Sequence, residues 1–146
     1  MQNRIGQSLN AVKHGITSTK MFVLQNESPE QWTKMLNECI DEFKPETPFE
    51  ERLVEEIAFA KWRLRRAWVT ENALYDTQMD DNAEAFAAKY KNADEGIRQG
   101  NAFRSMADDS KAFALAMRYE TRLDRAYKRA IKTLEDRRAA RARRAA

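Results

Sequence analysis

The sequence predicts an all-α protein: an antiparallel helical bundle built on two long amphipathic helices, with shorter helices beside them. Three observations predict it. Glycine and proline are scarce, four and three in 146 residues, which leaves little material for the turns of a sheet. Ala, Glu, Arg, Lys and Leu, all strong helix formers, dominate the second half of the chain. Two apolar seams, each roughly 20 residues long, advance in alternating steps of three and four, a coiled-coil-like spacing.

Ser8 to His14 (SLNAVKH) suits two turns of helix. Ser8 is placed to cap it and Gly15 to stop it, because glycine takes the left-handed position after a helix without strain. Lys13 and His14 then fall in the last turn, where positive charge favours the helix dipole. Met21 to Leu24 reads as extended chain laid over a core. Ser28-Pro29-Glu30-Gln31 is a helix start, with serine capping, proline at the first helical position and Gln31 completing a capping box. Trp32, Met35, Leu36, Cys39, Ile40 and Phe43 then form one apolar face that ends before Pro45.

Thr47-Pro48-Phe49-Glu50 repeats the start signal, and a long helix is expected from there to about Asp76. Its seam is Leu53, Ile57, Ala60, Leu64, Ala67, Glu71 and Leu74. Trp62 and Trp68 lie off this seam, so a second neighbour is expected on that flank. Residues 77–110 are more polar, with Phe86, Tyr90, Ile97 and Phe103 as apolar footholds and Gly96 and Gly100 as weak points, and predict one or two short helices. Ser110 or Asp109 is the expected cap of a last long helix, whose seam is Phe113, Ala116, Glu120, Leu123, Tyr127, Ala130 and Leu134. Beyond it, EDRRAARARRAA keeps helix propensity but carries nothing large to bury. The simplest packing sets the two seams antiparallel, with helix 28–43 alongside. A second copy would complete a four-helix core. The expected organisation is an N-terminal segment (1–27), a helical bundle (28–136) and a basic tail (137–146).

A single cysteine, Cys39, excludes an intrachain disulfide and, among apolar neighbours, reads as a small buried hydrophobe in a reducing compartment. No apolar run approaches the ~20 residues of a membrane span, and the start MQNRIGQSLNAVKHG lacks a signal peptide's apolar core. These features predict a cytoplasmic protein. The net charge of +3 hides an asymmetry: residues 111–146 carry twelve Lys/Arg against four Asp/Glu, while the rest of the chain is net acidic.

Glu71 and Glu120 stand at core positions of their seams, where a carboxylate needs a partner. The favoured expectation is a buried ion-pair network with Arg63, Arg66, Arg118 and Arg122, or hydrogen bonds to Tyr75 and Tyr119, fixing helix register. The alternatives are seam-edge glutamates reaching water, and a metal–carboxylate site. The last lacks its usual histidines, because Leu74 and Leu123 occupy the positions three residues on. His14 has no nucleophile beside it in sequence, and the glycines form no phosphate loop. No catalytic residue, metal or cofactor is therefore assigned, and the chain reads as a non-enzyme.

Trp62-Arg63-Leu64-Arg65-Arg66 mixes aromatic and basic residues and reads first as arginines bordering a core. Arg137, Arg138, Arg141, Arg143 and Arg144, with no acidic residue after Asp136, are the clearest candidate nucleic-acid contacts, joined by Lys13 and His14. A solubilising helix end, an acidic protein and a membrane surface compete for the same residues.

Taken together, Asn10-Ala11-Val12-Lys13-His14-Gly15-Ile16-Thr17, Val23-Leu24, Glu51 to Ala58, Trp62 to Arg66, and Arg118-Tyr119-Glu120 through Leu123 and Arg125 resemble an uncharacterised family of small bacterial helical proteins. The resemblance covers most of the chain outside about 77–110 and carries no activity with it. The N-A-x-K-H-G segment is also similar to one near the start of some phage terminase small subunits. The function expected is a non-enzymatic, oligomeric helical protein that binds nucleic acid non-specifically through its arginine-rich C-terminal end. The alternative is a structural or adaptor protein that docks a helical partner through its seams, with Trp32, Trp62 and Trp68 as anchors.

Overall fold

The computed structural model describes residues 23–92, 94–109 and 111–145. These contain α1 (Pro29–Phe43), α2 (Pro48–Asp81), α3 (Ala83–Lys89), α4 (Glu95–Asp109) and α5 (Lys111–Ala145), and no strand. The helix expected over 8–14, with Lys13, His14 and Gly15, lies outside the described residues, as do Met21 and Ser110.

Both start signals operate. The Ser28 hydroxyl accepts the Gln31 N–H at 3.2 Å, and the Thr47 hydroxyl accepts the Glu50 N–H at 3.2 Å, so each satisfies a donor that the first turn leaves without a partner. The expected capping box at Ser28 does not close, because the Gln31 side chain instead accepts from Arg65 at 2.8 Å. α1 ends at Lys44, whose φ of 43° is left-handed and whose N–H donates to the Ile40 carbonyl.

α2 and α5, with 34 and 35 residues, are each about 50 Å long. They run antiparallel. Arg138 meets Glu50 at one end, Trp68 meets Glu120 midway, and Tyr75 meets Phe113 at the other end. The predicted seams face each other: Leu53, Ile57, Ala60 and Leu64 are buried on one side, Phe113, Leu123, Ala130 and Leu134 on the other. α2 runs five residues past the expected stop at Asp76, because no breaker interrupts it and α4 packs over this last part. α1 lies antiparallel on the flank of α2 that carries Val54, Ala58 and Trp62 and is the neighbour that Trp62 required. Trp32 meets Trp62 edge-on at 5.8 Å, and Leu36 and Cys39 fill the space between α1 and the seam. Burial raises the Cys39 thiol pKa, as expected of a packing residue and not a reactive one.

α4 forms a second packing centre at the far end of α2. Ala102 and Met106 are buried there, and Tyr75, Phe103 and Phe113 pack ring against ring at centroid distances of 5.5–6.5 Å. Arg98 reaches Asp80 at 3.5 Å. Residues 137–145 are not a separate tail but continue α5 to Ala145. Among the described residues no helix is long and apolar enough to cross a membrane.

Candidate nucleic-acid interface

α5 divides its circumference three ways. The seam faces α2. Ile131 and Arg138 face the α1 side, where Ile131 packs on the core and Arg138 donates to the carbonyls of Phe43 and Lys44. The side opposite the seam is open. There Arg118, Arg122, Arg125, Arg129 and Lys132 follow one another at steps of four and three, and all five are exposed. This spacing keeps them on one line of the helix. The line is about 21 Å long at 1.5 Å per residue. Among the described residues none of the five makes an ion pair. Lys128, one step off the line, is the exception on this stretch and holds Asp124 at 2.7 Å. Asp136 interrupts the line, and exposed Arg143 resumes it in the last turn.

The terminal arginines are placed differently from the expectation. Arg138 and Arg141 grip Glu50, which is only 2 % exposed. Arg138 donates to one Glu50 oxygen from Nε at 3.2 Å and from a terminal nitrogen at 3.0 Å, and Arg141 donates to the other oxygen at 2.7 Å. Arg141 also reaches Glu46 at 2.8 Å, and the Glu46 N–H donates to Glu50 at 3.1 Å. Burial pushes the Glu50 carboxyl pKa up, but the Glu46 N–H and the two guanidiniums outweigh it, so the net shift is downward. Arg137 lies over the Phe49 ring at 4.6 Å. Three of the five tail arginines therefore fasten the C-terminal end of α5 to the α1–α2 junction. Arg143 and Arg144 are exposed, with neither an ion pair nor a ring contact among the described residues.

The expected network around Glu71 and Glu120 does not form. Both carboxylates are half-buried. Glu120 accepts from the Trp68 indole at 2.9 Å, and Glu71 makes no ion pair among the described residues. Arg63 sits over Phe59 at 5.4 Å, and Arg118 and Arg122 belong to the outer line of α5. Each reaches water at the edge of the α2–α5 contact, so neither carboxylate needs a cation. The seam-edge alternative is the one observed.

Arg66 serves another carboxylate. Glu27, just before α1, accepts from Arg66 at 2.7 and 2.8 Å and from the Trp62 indole at 3.1 Å, while the Leu24 N–H donates to it at 2.8 Å. The Arg66 hydrogen bonds, opposed by burial and aided by Leu24 and Trp62, lower its pKa from 4.5 to about 2. A pKa depressed by folding gives stability that is complete above the unfolded value and is lost as pH falls through the folded one. Denaturant midpoints measured between pH 6 and pH 2 are therefore expected to fall below about pH 4.5, and Glu27→Gln to flatten that fall. An unchanged slope in the variant would assign the acid sensitivity elsewhere.

Trp32 and Trp62 are core residues at 4 % and 3 % exposure, not anchors for a partner; Trp68, at 51 %, is the open one. Among the described residues no cluster of His, Cys, Asp and Glu converges to hold a metal ion. No family model, curated protein or solved structure matches this chain.

Proposed function

We propose that the protein is a non-enzymatic helical protein that binds nucleic acid non-specifically through the outer face of α5, from Arg118 to Lys132, with Arg143 and Arg144 extending it. The observation that carries this reading is the line of five exposed, unneutralised cations on one rigid helix. Rigidity matters, because cations already held in register lose little freedom when phosphates arrive. Arginine also suits the task through its paired donors for phosphate oxygens. The line presents charge and no base-reading element, so affinity comes from counterion release and is steeply salt-dependent. This moves the interface from the extreme C-terminus to the middle of α5, since Arg137, Arg138 and Arg141 are engaged with the protein itself.

The test is a binding titration of the full chain against a labelled duplex at several salt concentrations. Arg122→Gln, Arg125→Gln and Arg129→Gln combined are expected to weaken binding by about tenfold or more, and to reduce the slope of log K against log salt by roughly 2–3. Arg143→Gln with Arg144→Gln is expected to have a smaller effect. Equal binding by the triple variant and the parent overturns the reading. The adaptor alternative keeps one supporting observation, exposed Trp68 and Val69 on adjacent positions of α2. Quenching of Trp68 fluorescence by a captured protein, with the nucleic-acid titration flat, favours it.

A further inference from the structure

A second feature lies away from the α5 face. α3 and α4 enclose an open cavity of about 350 Å³, with the C-terminal end of α2 at its edge. One wall is aromatic: Phe86 and Tyr90, one turn apart on and just after α3, hold their rings 4.9 Å apart at 40°. Lys89 extends over the Tyr90 ring at 5.2 Å. Across the cavity α4 contributes Asn101, Arg104 and Asp108, one and two turns apart on the side of the helix away from buried Ala102 and Met106. Among the described residues Arg104 makes no ion pair.

We propose that this cavity binds a nucleoside phosphate, either a free mononucleotide or one unit of a single strand. Its volume is in the range of small-ligand sites. Its chemistry favours a ligand with more than one kind of group. A purely apolar ligand would leave the polar side chains of Arg104, Asn101 and Asp108 without a partner on the ligand. A bare inorganic anion would suit Arg104 and Lys89 but would face the Asp108 carboxylate, and it would leave the aromatic wall unused. A ligand that fits all parts has a planar ring to stack on Tyr90, an anionic group for Arg104 and Lys89, and hydrogen-bond donors for Asp108 and Asn101. A base bearing amino groups, joined to a phosphate, has all three. Stacking on an aromatic side chain with an arginine on the backbone is also the general way single strands are held. The site shares no residue with the α5 line, so the two readings stand or fall separately.

The experiment is calorimetric titration of the full chain with AMP, with adenosine, with ribose 5-phosphate and with a ten-nucleotide oligo(dA). AMP is expected to bind at least about tenfold more tightly than adenosine or ribose 5-phosphate, because each of these fills one end of the site only. Tyr90→Leu and Arg104→Gln are each expected to weaken AMP roughly tenfold with an unchanged melting temperature, since both side chains are exposed. The combined Arg122, Arg125 and Arg129 variant is expected to bind AMP as the parent does, which separates this site from the α5 face. Binding of oligo(dA) that depends on Tyr90, with no binding of AMP at millimolar concentration, identifies the ligand as a strand unit. The proposal is overturned if ribose 5-phosphate binds as tightly as AMP, which marks a plain anion site. It is equally overturned if neither AMP nor oligo(dA) responds to Tyr90→Leu.

Discussion

Trp62→Ala is expected to cost about 3–5 kcal/mol, the range for truncating a large buried aromatic side chain. For a domain whose total stability is of order 5–15 kcal/mol, that is enough to leave much of the protein unfolded at physiological temperature. Three losses coincide at this residue. The ring is 3 % exposed and sits between α1 and α2, so its removal leaves a cavity where α1 is pinned by the Trp32–Trp62 pair. Its edge-on contact with Trp32 disappears. Its indole N–H no longer reaches Glu27, whose carboxylate also holds Arg66 and the Leu24 N–H. Trp62→Phe separates these terms: it keeps most of the ring contact but drops the donor, and its expected cost is about 1–2 kcal/mol. Urea unfolding followed by circular dichroism measures both. If Trp62→Ala costs under about 1 kcal/mol, α1 is held by something other than this contact.

The helices and their seams were legible in the sequence because their signals are local and periodic. Ser28-Pro29 and Thr47-Pro48 state where α1 and α2 begin, and each apolar seam states which face is buried. The charged partners were harder, because an ion pair between residues 88 or 91 positions apart leaves no local trace. Glu71 and Glu120 are carboxylates at seam positions, yet both are only half-buried and reach water at the edge of the α2–α5 contact. The carboxylate that is buried, Glu50, looks in sequence like an ordinary first-turn residue. The signal for it was present. Stepping back by three from Leu53 continues the α2 seam to Glu50, and stepping on by four and three from Leu134 continues the α5 seam to Arg138 and Arg141. Two antiparallel seams of equal length bring those extensions together, acidic against basic, and this pairing identifies Arg138 and Arg141 as structural. The cations of the α5 outer face are equally periodic but less dense than those of the tail. The tail is denser in arginine, while Arg118 to Lys132 is sparser and better aligned.

Glu50→Ala is expected to destabilise the fold by about 2–3 kcal/mol, below the 3–5 kcal/mol typical of breaking a fully buried pair. The reduction follows from asymmetry: Glu50 is almost entirely buried, but the Arg138 and Arg141 side chains are 34 % and 43 % exposed and regain water when released. Arg138 also keeps its bonds to the Phe43 and Lys44 carbonyls, so α5 should detach from the α1–α2 junction only in its last turns. A double-mutant cycle with Arg138→Gln is expected to give a coupling of about 1–2 kcal/mol, because the two side chains share one network. The same substitution has an opposite expected effect on binding. It removes the negative charge that Arg138 and Arg141 share, leaving them only the Phe43 and Lys44 carbonyls and Glu46, so affinity for a duplex at low salt should rise a few-fold while stability falls. A variant that is both less stable and a weaker binder would mean that phosphates are met by the α5 end in its fastened geometry, with Arg138 and Arg141 positioned by Glu50 and not withheld by it.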